Sequence, residues 1–252
     1  MTRSGTGADA AGGRGQLWLD WVKANAVGEW LGLGGAALIG WLALRWLESV
    51  FDVAMAVVLS SFVFGLVEGS ILGWFQHRVL VRPLPFLTRG GWIAATVVGG
   101  TIAWLVASTI VTIGGAGAAG VVEPSPTMQV ALAAALGLAA GPVLGVPQAL
   151  VFRTWLGGRA WHWVWANALA WAVAMPVVFI GAGLPGEGAG FLPLAAAVSV
   201  TLLAAGAIAG AIHGAVMVWL LGARLEQSAY PHVVLDELSN LDTQWQELGE
   251  DE

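Results

Sequence analysis

Glu68 is the residue whose type and setting first ask for a chemical reading. It lies inside a long apolar run, Val53–Val79, where a carboxyl is costly and by default marks a functional site. At helical spacing it shares a face with Gly65, Gly69, Gly73 and Gln76, so it points into a bundle of helices and away from lipid. There it can hold a proton, a cation or part of a substrate. It can equally serve as glue, hydrogen-bonded to Gln148, His213 or a neighbouring backbone. Gln76, Gln148 and His213 form the second candidate set, one at an equivalent level of each of three apolar runs. Three such side chains at one depth can coordinate an ion or a polar headgroup, or satisfy each other, because buried amides need partners whether or not a ligand is present. Arg78, Arg82 and Arg89 in one turn, and Arg153, Arg159 and His162 in another, suit anionic lipid headgroups. Retention of basic loops on the cytoplasmic side accounts for the same residues.

Other chemistry finds little support. The chain has no cysteine, which excludes disulfides, thiolate metal sites and a cysteine nucleophile. No nucleotide-binding glycine loop, zinc helix, nucleophile elbow or paired carboxylates are evident, and His77, His162 and His232 have no regular spacing to carboxylates. No metal, cofactor or nucleic-acid partner is expected.

The elements that position these residues are membrane helices. Hydrophobic residues make up 58% of the 252 and charged residues 10%, the balance of a chain whose main solvent is lipid. A span of the ~30 Å hydrocarbon layer needs about 20 apolar residues. Six segments qualify: Val27–Leu47, Val53–Val79, Trp92–Ile113, Met128–Leu150, Val164–Leu184 and Leu192–Leu221. With the N-terminus inside, all ten basic residues except Arg45 fall on the cytoplasmic side, as topogenesis requires. The long outer loops then carry Glu123 and Glu187 and no basic residue.

Many of the 15 tryptophans fall near span ends, where indole anchors at headgroup depth: Trp18, Trp21, Trp155, Trp161, Trp163 and Trp165. Leu17, Trp18, Trp21 and Val22 make an apolar stripe opposite Asp20 and Lys23, which predicts a short helix lying on the membrane surface within residues 1–26. Residues 27–223 form the membrane domain, and 224–252 an acidic cytoplasmic tail. In that tail Val234, Leu238, Leu241, Trp245 and Leu248 recur at spacings of 4, 3, 4 and 3. This apolar stripe on an acidic helix predicts a protein partner for residues 231–249, because the anionic inner leaflet repels it.

The chain also repeats itself. Gly65, Gly69, Gly73 and Gln76 are matched in spacing by Gly137, Gly141, Gly145 and Gln148, and the core returns as Gly206, Gly210 and His213. Arg82 and Trp92 follow the first copy, and Arg153 and Trp163 the second, with one residue deleted. The expected unit is an inward helix, a basic turn and a returning helix, near 60–113, 132–184 and, as a half unit, 198–223. Such two-helix units are parallel repeats about an axis along the membrane normal. Small residues every fourth position let helix backbones approach where lipid offers no hydrophobic drive. The first span carries its own ladder, Gly32, Ala36 and Gly40, and is expected to dock beside the sixth and complete a threefold bundle. The fourth span holds Pro142 and Pro147, each promoting a kink.

Glycines at four-residue spacing followed by Gln, a basic turn and Trp resemble a poorly characterised group of bacterial multi-pass membrane proteins with the same repeat. The resemblance covers roughly 65–104, 137–171 and 206–219, departs from the pattern at His213, and implies a fold and a bacterial cytoplasmic membrane but no activity. The expectation is therefore an all-α integral membrane protein of about six spans. Its expected role is non-enzymatic, as a scaffold, assembly factor or regulator. The alternative is a small-solute or ion transporter using Glu68 and the Gln76, Gln148 and His213 cluster. A lipid-modifying enzyme would need a second buried acid or base that the sequence reading does not supply.

Overall fold

The computed structural model describes residues 6–116, 124–184, 188 and 190–249, with side chains described for 13–110, 124–184, 188 and 190–222. Glu123 and Glu187 lie outside the described residues, and the apolar stripe of the acidic tail lies outside the residues whose side chains are described. Among the described residues there is no strand. Six α-helices follow one another: α1 Thr6–Leu47, α2 Val53–Leu80, α3 Arg89–Ala116, α4 Pro126–Leu156, α5 His162–Gly183 and α6 Phe191–Gly249. A 3-10 turn, Gly157–Trp161, joins α4 to α5. Among the described residues, five continuous helical stretches are long and apolar enough to cross a membrane; one of them, Pro126–Gly183, contains both α4 and α5.

Local signals set the helix ends. Asp52 and Ser125 cap α2 and α4 by accepting from the backbone N–H of Met55 and Met128, satisfying donors that a first turn leaves open. Pro126 stands at the start of α4, where its missing N–H costs nothing. At the other end of α4, Gly157 takes φ +54°, a left-handed geometry that a side chain resists. The helix runs through Pro142 and Pro147 without interruption.

Each helix packs against its two chain neighbours, and α6 returns to α1, closing a ring of six. The six junctions are unequal: α3 against α4 is the sparsest. Trp21, Leu80, Leu84, Trp92, Phe152, Trp163 and Met217 form the main core at the end of the bundle that bears the α2–α3 and α4–α5 turns. A smaller core of Ala170, Trp171, Ala174, Ala205 and Ala209 seals α5 against α6.

Helix α1 does lie beside α6, although its glycine ladder is not the contact. Gly32 and Gly40 face Glu68 and Phe64 of α2. The α6 contact is made one face over, where Gly206 and Gly210 meet Ala26, Asn25 and Val22. The expected surface helix is absent as a separate element, since α1 runs unbroken from Thr6. Its stripe is occupied by protein: Trp21 is fully buried and Trp18 donates to the Ala211 carbonyl at 3.0 Å.

Candidate functional site

Two layers of the bundle contain the candidate residues. The lower one is a sealed belt of tryptophans and amides in the main core. Trp92 Nε1 donates to Gln76 Oε1 at 3.2 Å, Trp163 Nε1 to Gln148 Oε1 at 2.9 Å, and Trp21 Nε1 to His213 Nδ1 at 2.8 Å. The amide nitrogens reach sideways: Gln76 Nε2 donates to Asn25 Oδ1 at 2.8 Å, and Gln148 Nε2 to Thr96 Oγ1 at 3.0 Å and Gln76 Oε1 at 3.3 Å. Asn25, Thr96 and Asn167 each donate back to the carbonyl of the tryptophan four residues earlier. Trp21 and His213 both lie edge-on or tilted against Trp163, at 5.8 and 5.2 Å.

Helix approach builds this belt, and glycine allows the approach. A Cβ placed on Gly69, Gly141 or Gly206 would come within 2.6, 2.5 or 2.9 Å of the Cα of Val97, Ala168 or Ala26. One turn on, Gly73, Gly145 and Gly210 sit 3.1, 3.0 and 3.1 Å on the same measure from Ile93, Val164 and Val22. At Gly69, Gly141 and Gly206 the backbone of the facing helix leaves no room for a Cβ, and at Gly73, Gly145 and Gly210 a Cβ fits only if its neighbours shift. Gly65 and Gly137 meet the backbones of Thr101 and Trp171 more closely still.

Convergence of the three polar candidates is partial. Gln76 and Gln148 bond directly; His213 joins through Trp21 and ring contacts. All three are buried and engaged within the protein. Trp21 and Trp163, expected at headgroup depth, are instead their partners in the core.

The second layer lies further from the basic turns and holds the acids. Glu68 accepts from Trp104 Nε1, not from Gln148 or His213 as the sequence suggested. It borders an apolar cavity of about 240 Å³ between α3 and α4, shared with Gly100, Trp104, Ala140, Val143 and Trp171. Val106, Ile110 and Ala139 also line this space and are exposed on the outside of the bundle, so the cavity opens laterally, towards the surroundings of α3 and α4. Gln148 and His213 do not border it.

Glu29 is a second buried acid. It is 2% exposed, and its Oε2 has no hydrogen-bond partner. It packs on α1 opposite Gly206, within electrostatic range of Glu68, but does not line the cavity. The sequence reading missed it, along with Asn25 and the buried role of Trp21. A signal was present: Trp21-Val-Lys-Ala-Asn25 and Trp163-Val-Trp-Ala-Asn167 are near copies.

The basic candidates separate by environment. Arg82 pairs with Asp20, Arg78 stacks on Trp74 and Arg159 on Trp219, both at 4.8 Å, and Arg153 is exposed near the end of α4. His77 pins the α2–α3 turn through the Leu87 carbonyl at 3.0 Å.

Comparison with protein-family models, with curated proteins and with solved structures finds no match to the chain.

Proposed function

We propose that the chain is a non-enzymatic multi-pass protein of a bacterial cytoplasmic membrane, acting as a scaffold, assembly factor or regulator through its outer helix faces and acidic tail. In this reading it crosses the membrane six times with both termini inside. The 58-residue stretch Pro126–Gly183 supports two crossings there, since at about 1.5 Å per residue it is far longer than the ~30 Å core. Clustering of arginines at the α2–α3 and α4–α5 turns supports the orientation. The bacterial membrane rests on the likeness to proteins with the same glycine, glutamine and tryptophan repeat.

The architecture we propose is three parallel two-helix units, α2 with α3, α4 with α5, and α6 with α1. The third unit is closed by the first helix of the chain. Its support is the equivalence of contacts: in each pair two glycines meet residues one and five after a tryptophan that donates to the Gln or His three residues beyond the second glycine.

One observation carries the functional reading: Gln76, Gln148 and His213 are bonded to the bundle itself. A permeation path requires polar groups left open to the solute, and these are closed. The enzyme reading gains a second buried acid in Glu29, yet of the two only Glu68 lines the cavity between α3 and α4. The tail, 231–249, remains the proposed contact for a protein partner, its acidic charge disfavouring the inner leaflet.

Because the chain has no cysteine, single cysteines test this directly. Gln148→Cys and His213→Cys in native membranes are expected to resist a hydrophilic methanethiosulfonate until the protein is denatured. Purified wild type in proteoliposomes is expected to pass neither protons nor potassium above protein-free vesicles. Labelling of Gln148→Cys in the native membrane, or flux lost in Glu68→Gln, would replace the scaffold with the transporter.

A further inference from the structure

The cavity beside Glu68 has a shape and a chemistry that the scaffold reading does not use. Among the described residues its walls are Gly, Ala, Val, Leu, Ile, Met and Trp, with Glu68 as the one ionisable side chain. It is larger than the ~150 Å³ cavities that accept benzene and smaller than the ~300 Å³ typical of drug-sized pockets. A single alkyl chain fits such a space. Val106, Ile110 and Ala139, exposed at the rim, give access from the side. A hydrocarbon chain alone gains little there, because the bilayer is an equally good solvent for it. Selectivity must come from Glu68, whose Oε2 is already held by Trp104, leaving the other oxygen to a ligand. In a low-dielectric site a carboxylate pairs strongly with a donor of opposite charge.

We propose that this cavity binds a single-chain lipophilic amine, its chain entering between α3 and α4 and its ammonium group held by Glu68. The small residues Gly100, Ala103, Ala139 and Ala140 leave the space open. Ala140 stands at the position that corresponds to Glu68 in the second proposed unit, so the acid reaches the cavity from one side only.

The test uses three photoreactive probes of equal length, an alkyl diazirine ending in a primary amine, in a carboxylic acid or in a methyl group. Each is irradiated with the full-length protein in zwitterionic nanodiscs, and adducts are mapped by peptide mass spectrometry. The amine is expected to label peptides of α3 and α4 around Ala103–Ala107 and Ala139–Val143 at least tenfold more than the acid. Glu68→Gln, which keeps an acceptor for Trp104, is expected to lower amine labelling to the level of the methyl probe. Ala140→Phe is expected to abolish labelling by all three. Equal labelling of the wild type by all three would reduce the site to a crevice for ordinary acyl chains and overturn the proposal. Full amine labelling in a folded Glu68→Gln protein would do the same. The comparison among probes on wild type needs no variant to fold. It is also independent of the cysteine test above, so either reading can fail alone.

Discussion

Replacing Gln148 by Leu probes the amide belt where it is most connected. The wild-type side chain accepts from Trp163 Nε1 and donates to Thr96 and Gln76. Leucine, apolar and one atom shorter, removes all three bonds. Thr96 and Gln76 keep other partners, Trp92 O for the hydroxyl and Trp92 Nε1 and Asn25 for the amide, so each loses only an interhelical bond, worth about 0.6 kcal/mol in membrane proteins. Trp163 is different: it is fully buried, and its N–H is left without an acceptor, at a cost of about 1–3 kcal/mol. The expected destabilisation is thus about 2–4 kcal/mol, less whatever the added apolar surface returns. Reversible unfolding in mixed micelles titrated with dodecyl sulfate and followed by tryptophan fluorescence measures it. Trp163→Phe isolates the main term, because Gln148→Leu on that background no longer orphans a donor. The pair should therefore couple by about 1–2 kcal/mol. A Gln148→Leu protein as stable as wild type, or strictly additive effects in the cycle, would refute the belt as a structural device and reopen a binding role for these amides.

Two further substitutions report on helix approach and on surface charge. Gly141→Ala sets a methyl 2.5 Å from the Ala168 Cα and should cost about 1–3 kcal/mol or more as α4 and α5 separate. Gly34→Ala, with nothing within 4 Å, should leave the protein as stable as wild type or raise its stability by up to about 1 kcal/mol. Arg82→Ala removes the ion pair with Asp20, whose side chains are 64% and 21% exposed. It should lower stability by less than about 1 kcal/mol, and by less still at high salt.

What the sequence revealed depended on whether a contact leaves a periodic trace. Backbone-to-backbone packing does, because only glycine fits and the same face recurs every fourth residue; Gly69, Gly73, Gly141 and Gly145 were legible for that reason. Partners of Gln76 and Gln148 were visible as types but not as bonds, since the recurrence of tryptophan 15 or 16 residues later does not say that the ring folds back on the amide. Trp21 was misread because Asp20 and Lys23 place it outside any apolar window, although its helix continues through that stretch and packs on α6. Glu29 escaped notice at the start of its predicted span, where charges are common. The cavity had no signature at all. Ala139 and Ala140 look the same in sequence whether a neighbour fills the space beside them or leaves it vacant.

Under the proposed repeat, the two layers differ in how far they keep threefold equivalence. In the belt, each tryptophan finds an acceptor on its partner helix, and residues four positions on, Asn25, Thr96 and Asn167, all bind the preceding turn. Substitution of His for Gln is tolerated there because both accept from an indole. In the next layer the equivalence breaks. Positions eight residues after the tryptophans hold Glu29, Gly100 and Trp171, and those just before the second glycines hold Glu68, Ala140 and Ala205. Packing alone gives no reason for two acids and small residues at positions where the second unit has the large ring of Trp171. Both acids cost desolvation, one lacks a hydrogen-bond partner for an oxygen, and the adjoining space is unfilled. A bundle under selection only for closure would fill that space with apolar side chains, as α5 and α6 do at Ala170, Ala174 and Ala209. Departure from the repeat is therefore the feature that directs attention to Glu68, and it does so independently of the chemistry of the carboxyl.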